Sequence, residues 1–389
     1  MAGKRNILGV LDKVSSNAIT VRPARCAVVR NRNVECGRCA DACTSNCIHF
    51  EDGIIAVDAS KCVGCGTCAT VCPTCALETH NPSDLQLLAD CKKRIVDGEV
   101  TIACDAVANA YGSGIDQAAL GRVVCLGRVE ESLTSGLAAA GAKTIHLLCG
   151  DCSKCKQEHG KQTAQLVAQT SNALFEAWGA DAKVVLTDDV PAYLAREDAP
   201  ALEKRREDFF ADGVGAPLIF ASDADDAAAE EEEEQEQGVS VLRVMRDGTL
   251  PHFVPDRRER LLDNLASLGN PGNATVDTRL WGYVVINGMK CSSCRMCATF
   301  CPTAAIRKFD DEDGTFGVDH SPIDCVKCGS CRDICPEGAI TLVDDVKADF
   351  LMSGDVHHYV MKERAVKLND AQQIYNTMRQ YIDGDMYER

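Results

Sequence analysis

Between Val100 and Leu186 the apolar residues fall into short runs separated by longer stretches with helical spacing. Val100–Cys104, Val123–Leu126, Thr144–Cys149 and Val184–Leu186 have strand length, whereas Glu130–Ala140 and Gln157–Trp178 have helix-forming composition. Strand–helix alternation of this kind predicts a small parallel sheet with helices on its faces. Cys104, Cys125 and Cys149 each end or follow one of these strands, and the carboxyl ends of such strands form the ligand crevice. Further on, Pro255–Leu268 has the pattern of an amphipathic helix. Asp345–Arg389 shows helical patches without enough apolar residues for a core of its own, which leaves it to dock on a neighbouring domain or on a partner.

Composition changes the picture in one respect. Aromatic residues are only 5% of the chain, yet it holds 24 cysteines. The opening MAGKRNILGV is read as lacking an apolar leader and a twin-arginine pair, and no stretch reaches the roughly 20 apolar residues of a membrane span. The expected setting is therefore a reducing cytoplasm in which thiolates bind metal rather than one another. A formal charge of −17 argues against nucleic acid as a partner. Much of that charge is local: Asp223, Asp225, Asp226, Glu230 to Glu234 and Glu236 form a block expected to be a solvated linker.

The cysteines fall into three groups, Cys26 to Cys75, Cys91 to Cys155 and Cys291 to Cys335. In the last, Cys291, Cys294, Cys297 and Cys301 follow C-x2-C-x2-C-x3-C-P, and Cys325, Cys328, Cys331 and Cys335 repeat it, with Pro302 and Pro336 closing each motif. Three closely spaced thiolates wrap three corners of a [4Fe-4S] cubane, and the fourth reaches the other cluster. One cluster is thus expected on Cys291, Cys294, Cys297 and Cys335, and another on Cys325, Cys328, Cys331 and Cys301. The small residues Ser292, Ser293, Gly329 and Ser330 let backbone N–H groups approach the sulfurs. Zinc also takes four thiolates, but a doubled eight-cysteine spacing with both prolines favours iron–sulfur clusters.

Cys62, Cys65, Cys68 and Cys72, followed by Pro73, repeat the motif once more. Its partner is irregular. Cys36, Cys39 and Cys43 align with Cys65, Cys68 and Cys72, but Asn33 stands at the first ligand position and Thr44 in place of proline. Either Cys26 or Cys47 must supply the missing thiolate. Cys26 lies on the correct side of the loop, in a spacing that resembles dicluster ferredoxin subunits with a displaced upstream cysteine. The expected sets are Cys26, Cys36, Cys39 and Cys72 for a first cluster, and Cys62, Cys65, Cys68 and Cys43 for a second. Cys47 and Cys75 would then be buried thiols, with a [3Fe-4S] first centre as the departure to watch.

Cys104, Cys125, Cys149, Cys152 and Cys155 remain, and Cys91 fits no pattern. The elements Cys125-Leu126-Gly127-Arg128-Val129 and Gly150-Asp151-Cys152, after a strand ending in Cys104, resemble the delta-type iron–sulfur subunit of methyl-viologen-reducing hydrogenases over roughly Val100 to Pro191. That resemblance implies a [2Fe-2S] centre and electron delivery to a flavoprotein of the heterodisulfide-reductase type. The ligand candidates are Cys104, Cys125, Cys149 and Cys152, with Cys155 as an alternate; spacing leaves the nuclearity, [2Fe-2S] or [4Fe-4S], open. Cys149 and Cys152 also form a C-x-x-C and so admit a dithiol redox pair or inert buried thiols.

Two further features point to no chemistry. Tyr111–Asp116 lacks the third glycine of a dinucleotide fingerprint, with Gln117 in its place. His357 and His358, adjacent on a strand, would face opposite ways and suit a surface or docking role. No catalytic residue is expected. The expected fold is α+β and multidomain, two ferredoxin-like dicluster domains (1–90 and 251–345) flanking a small α/β domain (97–195), with a linker over 196–250 (its acidic run 223–236) and a docking tail over 346–389. The expected function is an electron-transfer subunit of a larger anaerobic oxidoreductase complex, with four [4Fe-4S] clusters and a fifth centre, between a flavoprotein and a hydrogenase or a molybdenum or tungsten enzyme such as formate dehydrogenase. A thiol–disulfide reductase using Cys149 and Cys152 is the rival reading.

Overall fold

A computed structural model describes residues 18–51, 53–80, 82–196 and 244–362. The acidic run 223–236 and the last part of the tail, 363–389, lie outside the described residues. By their internal contacts the described residues form two units: 18–24, 37–196 and 257–269 make the first, and 25–36, 244–256 and 270–362 the second.

The first unit begins with four very short strands, β1 (Ile19–Val21), β2 (Ile48–Glu51), β3 (Ile54–Val57) and β4 (Leu77–Thr79). β1 pairs antiparallel with β4, Val21 opposite Leu77, and β2 forms a hairpin with β3. Strands of three or four residues cannot build a sizeable core by themselves. Ile19, Ile55 and Leu77, each about 1% exposed, fill part of the interior, and buried cysteines fill much of the rest.

The chain continues into a four-stranded parallel sheet of β5 (Glu99–Cys104), β6 (Leu120–Val123), β7 (Thr144–Leu148) and β8 (Lys183–Thr187), in the order β6-β5-β7-β8. Alternation along β5 separates the faces. Val100 and Ile102 pack with Ile145, Leu147, Leu137, Val167 and Phe175, while Ala103 packs with Val107, Tyr111 and Leu148. Helices Glu131–Ala139 and His159–Trp178 cover the first of these faces, and Gly179 ends the longer one in the left-handed conformation. One expected strand moves. Val123–Leu126 is not the paired segment: Leu120–Val123 is, in register with Thr101–Cys104, and Leu126–Arg128 tightens into a 3₁₀ turn closed by Arg128 N–H donating to the Cys125 carbonyl. The amphipathic helix spans Asp256–Leu268 and buries Leu261 and Leu265.

The second unit repeats the arrangement of β1 to β4. β9 (Thr275–Asp277) precedes β10 (Tyr283–Ile286), β11 (Ile306–Asp310), β12 (Phe316–His320) and β13 (Ile340–Val343). β10 pairs antiparallel with β13, and β11 with β12. Beyond these, β14 (Asp345–Lys347) pairs with β9, and β15 (His357–Met361) adds a third strand beside β12. The described part of the tail therefore packs on its own unit. His357 bonds the Tyr283 hydroxyl at 2.7 Å, whereas His358 bonds Asp319 and stacks on Phe309.

Cys91 on helix Asp84–Lys92 is fully buried, and a Cβ on Gly121 would lie 2.8 Å from its sulfur. Burial, and then the Asp90 carboxylate, pushes this thiol up to about 12. The folded state thus keeps a proton that the unfolded chain sheds near about 8.5, so stability falls as pH rises through that window. Urea denaturation under reductant at about pH 8 and about pH 11 should show a smaller loss for Cys91→Ala than for the wild type; equal losses would exclude this source.

Candidate metal centres

Three of the cysteine loops share one backbone device. The residues on either side of the middle cysteine have positive φ: Gly64 (68°) and Gly66 (77°) around Cys65, Ser293 (62°) and Arg295 (55°) around Cys294, Lys327 (51°) and Gly329 (88°) around Cys328. Such alternation turns successive N–H groups toward one point, an anion nest. Ser293, Arg295 and Lys327 hold it despite the steric penalty on a side chain there, roughly 1–2 kcal/mol for a left-handed residue. The loop at Cys36 lacks the device, since Gly37 has φ −105° and opens the short helix Arg38–Asp41.

A second device appears in all four motifs. Three residues after the fourth cysteine the chain again turns left-handed, at Asn46 (48°) after Cys43, Cys75 (47°) after Cys72, Ala304 (54°) after Cys301 and Gly338 (54°) after Cys335. The turn brings the Ala76 N–H to Cys72 Sγ and the Ala339 N–H to Cys335 Sγ, both at 3.3 Å, and Ser293 N–H donates to Cys291 Sγ at 3.4 Å. An arginine holds the carbonyls just before two of these cysteines. Arg257 donates to the carbonyls of Ala69 (2.9 Å) and Cys72 (2.8 Å) in the first unit. Arg30, buried in the second, donates to those of Pro251 (2.6 Å), Phe300 and Cys301 (both 3.4 Å). Sequence reasoning missed both, because nothing local marks an arginine that acts so far along the chain.

The second unit gathers its cysteines into two sets. Cys291, Cys294, Cys297 and Cys335 line one cavity, together with Ile286 and Ala339. Burial raises the Cys297 thiol, and the charges of Cys294, Cys291 and Cys335 raise it further. Burial pushes Cys328 up to about 12, with Cys301 and Cys325 adding to it. Cys331 is raised by burial and by Cys328, Cys325, Cys301 and Cys297, so the two sets are within electrostatic reach of each other.

In the first unit Cys68 is raised by burial and by Cys65, Cys62, Cys39 and Cys43. These are the members expected around the second cluster, plus Cys39 of the first. Cys47 joins them: its sulfur lies 3.4 Å from Cys43 Sγ. Their contact pulls the Cys43 thiol down and raises that of Cys47. Of the set expected for the first cluster, Cys39 and Cys72 belong to the first unit and Cys26 and Cys36 to the second. Cys26 follows the end of β1 by the same interval as Cys291 follows the end of β10. Cys75 is buried and pushed up to about 11.

At the carboxyl ends of β5, β6 and β7 the five remaining thiols come together. Cys104 is pushed up to about 12 by burial, against the Val107 N–H, with Cys152, Cys155 and Cys149 adding to the rise. Cys152 is pushed up to about 11 by burial, Cys149 and Cys155. Cys125 is raised by burial and, after the opposing Gly127 N–H, by Cys65, Cys104 and Cys155. Cys65 belongs to the neighbouring cluster loop, so that loop and the middle group are in direct electrostatic contact. The join is close-packed. A Cβ on Gly127 would strike Thr67 Oγ1, one on Gly66 would strike Arg128, and one on Gly160 would strike Cys125 Sγ. Arg128 is tied by Asp84 at 2.6 Å, whose other oxygen takes Arg260 at 2.9 Å.

Buried thiols that raise one another's pKa need a cationic core before they can all ionise, and backbone N–H groups aimed at sulfur suit thiolates on an iron–sulfur cage. Among the described residues no three His, Cys, Asp or Glu side chains gather tightly enough to grip a single ion. Thiolates on a cage are spaced by the cage, each holding its own corner.

Two families match parts of the chain, a 4Fe-4S dicluster domain over residues 290–339 and a 4Fe-4S binding domain over residues 53–74. No curated protein matches it. The chain is an iron–sulfur, ferredoxin-like protein with 4Fe-4S binding domains of mixed α/β build. Among the described residues no helix is long and apolar enough to cross a membrane.

The Gly160 contact gives a direct test of the join. Gly160→Ala should displace Cys125 and cost about 1–3 kcal/mol, as overpacking does. In urea denaturation Cys125→Ala should recover most of that loss in the same background; no recovery would mean that the two residues do not meet.

Proposed function

We propose that the chain is the electron-transfer subunit of a larger oxidoreductase complex, with four [4Fe-4S] clusters and a fifth centre in the middle sheet. The observation that carries this reading is the close packing of cluster loop on sheet crevice at the Thr67–Gly127 join, where the charge of Cys65 adds to the rise of Cys125. Bound clusters would supply one-electron redox centres whose potentials are set by ligation, hydrogen bonds to sulfur and burial. The protein's part is to hold thiols, aim N–H groups at them and keep neighbouring sets close.

The ligands in this reading are Cys26, Cys36, Cys39 and Cys72 for the first cluster and Cys62, Cys65, Cys68 and Cys43 for the second. Cys291, Cys294, Cys297 and Cys335 serve the third, and Cys325, Cys328, Cys331 and Cys301 the fourth. Cys104, Cys125, Cys149 and Cys152 hold the fifth centre, with Cys155 within reach. The resemblance to the hydrogenase delta subunit supports a flavoprotein on one side and a hydrogenase or molybdenum or tungsten enzyme on the other. The proposed domains are 1–90, 97–195 and 251–345, joined by the linker 196–250 and followed by the tail 346–389, in a cytoplasmic, anaerobic setting. A dithiol reductase needs a thiol whose pKa is lowered, whereas Cys152 is pushed up to about 11.

Iron and acid-labile sulfide on anaerobically purified protein test the proposal. About eighteen or twenty iron atoms per chain are expected, against about sixteen if the middle group is empty. Cys152→Ser should remove one EPR signal and leave the others. A colourless, iron-free protein, or one that co-purifies with no flavin, molybdopterin or hydrogenase subunit, would overturn the corresponding part.

A further inference from the structure

The four motifs agree at a position outside their ligands. Four residues after the last cysteine stand Ala76, Ala305 and Ala339 in three of them and Cys47 in the first. All four are buried, 1% to 3% exposed. Ala339 lines the same cavity as Cys291, Cys294, Cys297 and Cys335, so this position faces the space between the thiols. In the first motif a thiol takes the place of that methyl group, and its sulfur lies 3.4 Å from Cys43 Sγ. The other side-chain donor at the fourth cysteine is common to three of the motifs: Ser45 at 3.4 Å from Cys43, Thr74 at 3.7 Å from Cys72 and Thr303 at 3.9 Å from Cys301. Cys47 is the departure that distinguishes this corner.

We propose that Cys47 is a non-ligating thiol that donates an S–H hydrogen bond to Cys43, a ligand of the second cluster, and so raises that cluster's reduction potential above what its motif alone would set. The inference rests on the electron-transfer reading. Two points argue for a donor rather than a fifth ligand. The cage has four corners, and Cys43, Cys62, Cys65 and Cys68 already provide for them. And Cys47 sits where the other motifs place a methyl group, beside the cage rather than at the end of a ligand loop. Reduction adds negative charge that spreads onto the thiolates. A proton held against one of them stabilises the reduced form more than the oxidised one, which moves the potential upward. The second cluster is also the one whose loop meets the middle sheet at Cys125, so a raised potential there places an electron at the join.

The test uses the whole chain, purified anaerobically. Cys47→Ala installs the residue that the other three motifs carry, so the fold should hold. Iron and sulfide should equal the wild type, and redox titration followed by EPR should show one midpoint potential shifted negative with the rest unmoved. Cys47→Ser keeps a donor and should shift it less. Loss of a cluster's complement of iron, or a new [3Fe-4S] signal, would make Cys47 a ligand and overturn the proposal, as would four unmoved potentials. Wild-type protein without iron would instead sink the electron-transfer reading itself.

Discussion

Like charges confined in a dry interior set the terms for this molecule. Each group contains buried thiols that their neighbours' charges raise further, as at Cys331 and Cys68. Ionised together without compensation, they would drive the chain apart. Strands of three to five residues around them bury too little apolar surface to hold the loops in place. A cationic cage answers both demands, neutralising the sulfurs and cross-linking segments that the sheet joins weakly. The chain's shortage of large aromatic side chains then follows, since inorganic cores occupy the volume that such side chains would fill.

The backbone contributes the rest of the compensation. Left-handed residues flank Cys65, Cys294 and Cys328, and three of those six positions carry side chains for which this conformation is costly. Strain held at Ser293, Arg295 and Lys327 has a return only if the N–H groups it aims are used by an anion. Arg257 and Arg30 serve the same end from the far side, gripping the carbonyls next to Cys72 and Cys301. Burial lowers Arg30, and the charges of Cys301 and Cys328 work against that loss. Each arginine is drawn from a segment distant in sequence, so the surroundings of a cluster are assembled by the fold and not by the motif.

Legibility in the sequence followed the same division. Ligand spacing is local, and the grouping of Cys291 to Cys335 could be read directly, because three thiolates on one short loop have few ways to meet a cage. The parallel sheet was also readable, since β5 and β7 are short, mostly apolar runs between helical stretches. β6 was misplaced by three residues: Val123 to Leu126 looks like a strand, but the chain tightens into a 3₁₀ turn after Cys125, and Leu120 pairs in its stead. Arg30, Arg257 and Gly160 gave no signal, because their partners are set by tertiary packing. Cys47 was visible as an irregularity whose placement, beside Cys43, only the fold supplies.

The join between cluster loop and middle sheet shows why small residues matter more here than apolar ones. Gly66, Gly127 and Gly160 each sit where a methyl group would collide with the opposing element. Removing three side chains weakens the local core, and the Arg128–Asp84–Arg260 network restores the hold with paired charges. What is gained is proximity, since one methyl group at Gly160 would displace Cys125 from its place in the crevice. A structure built only for stability would fill that space. Keeping it clear holds the cluster loop and the sheet crevice at close range.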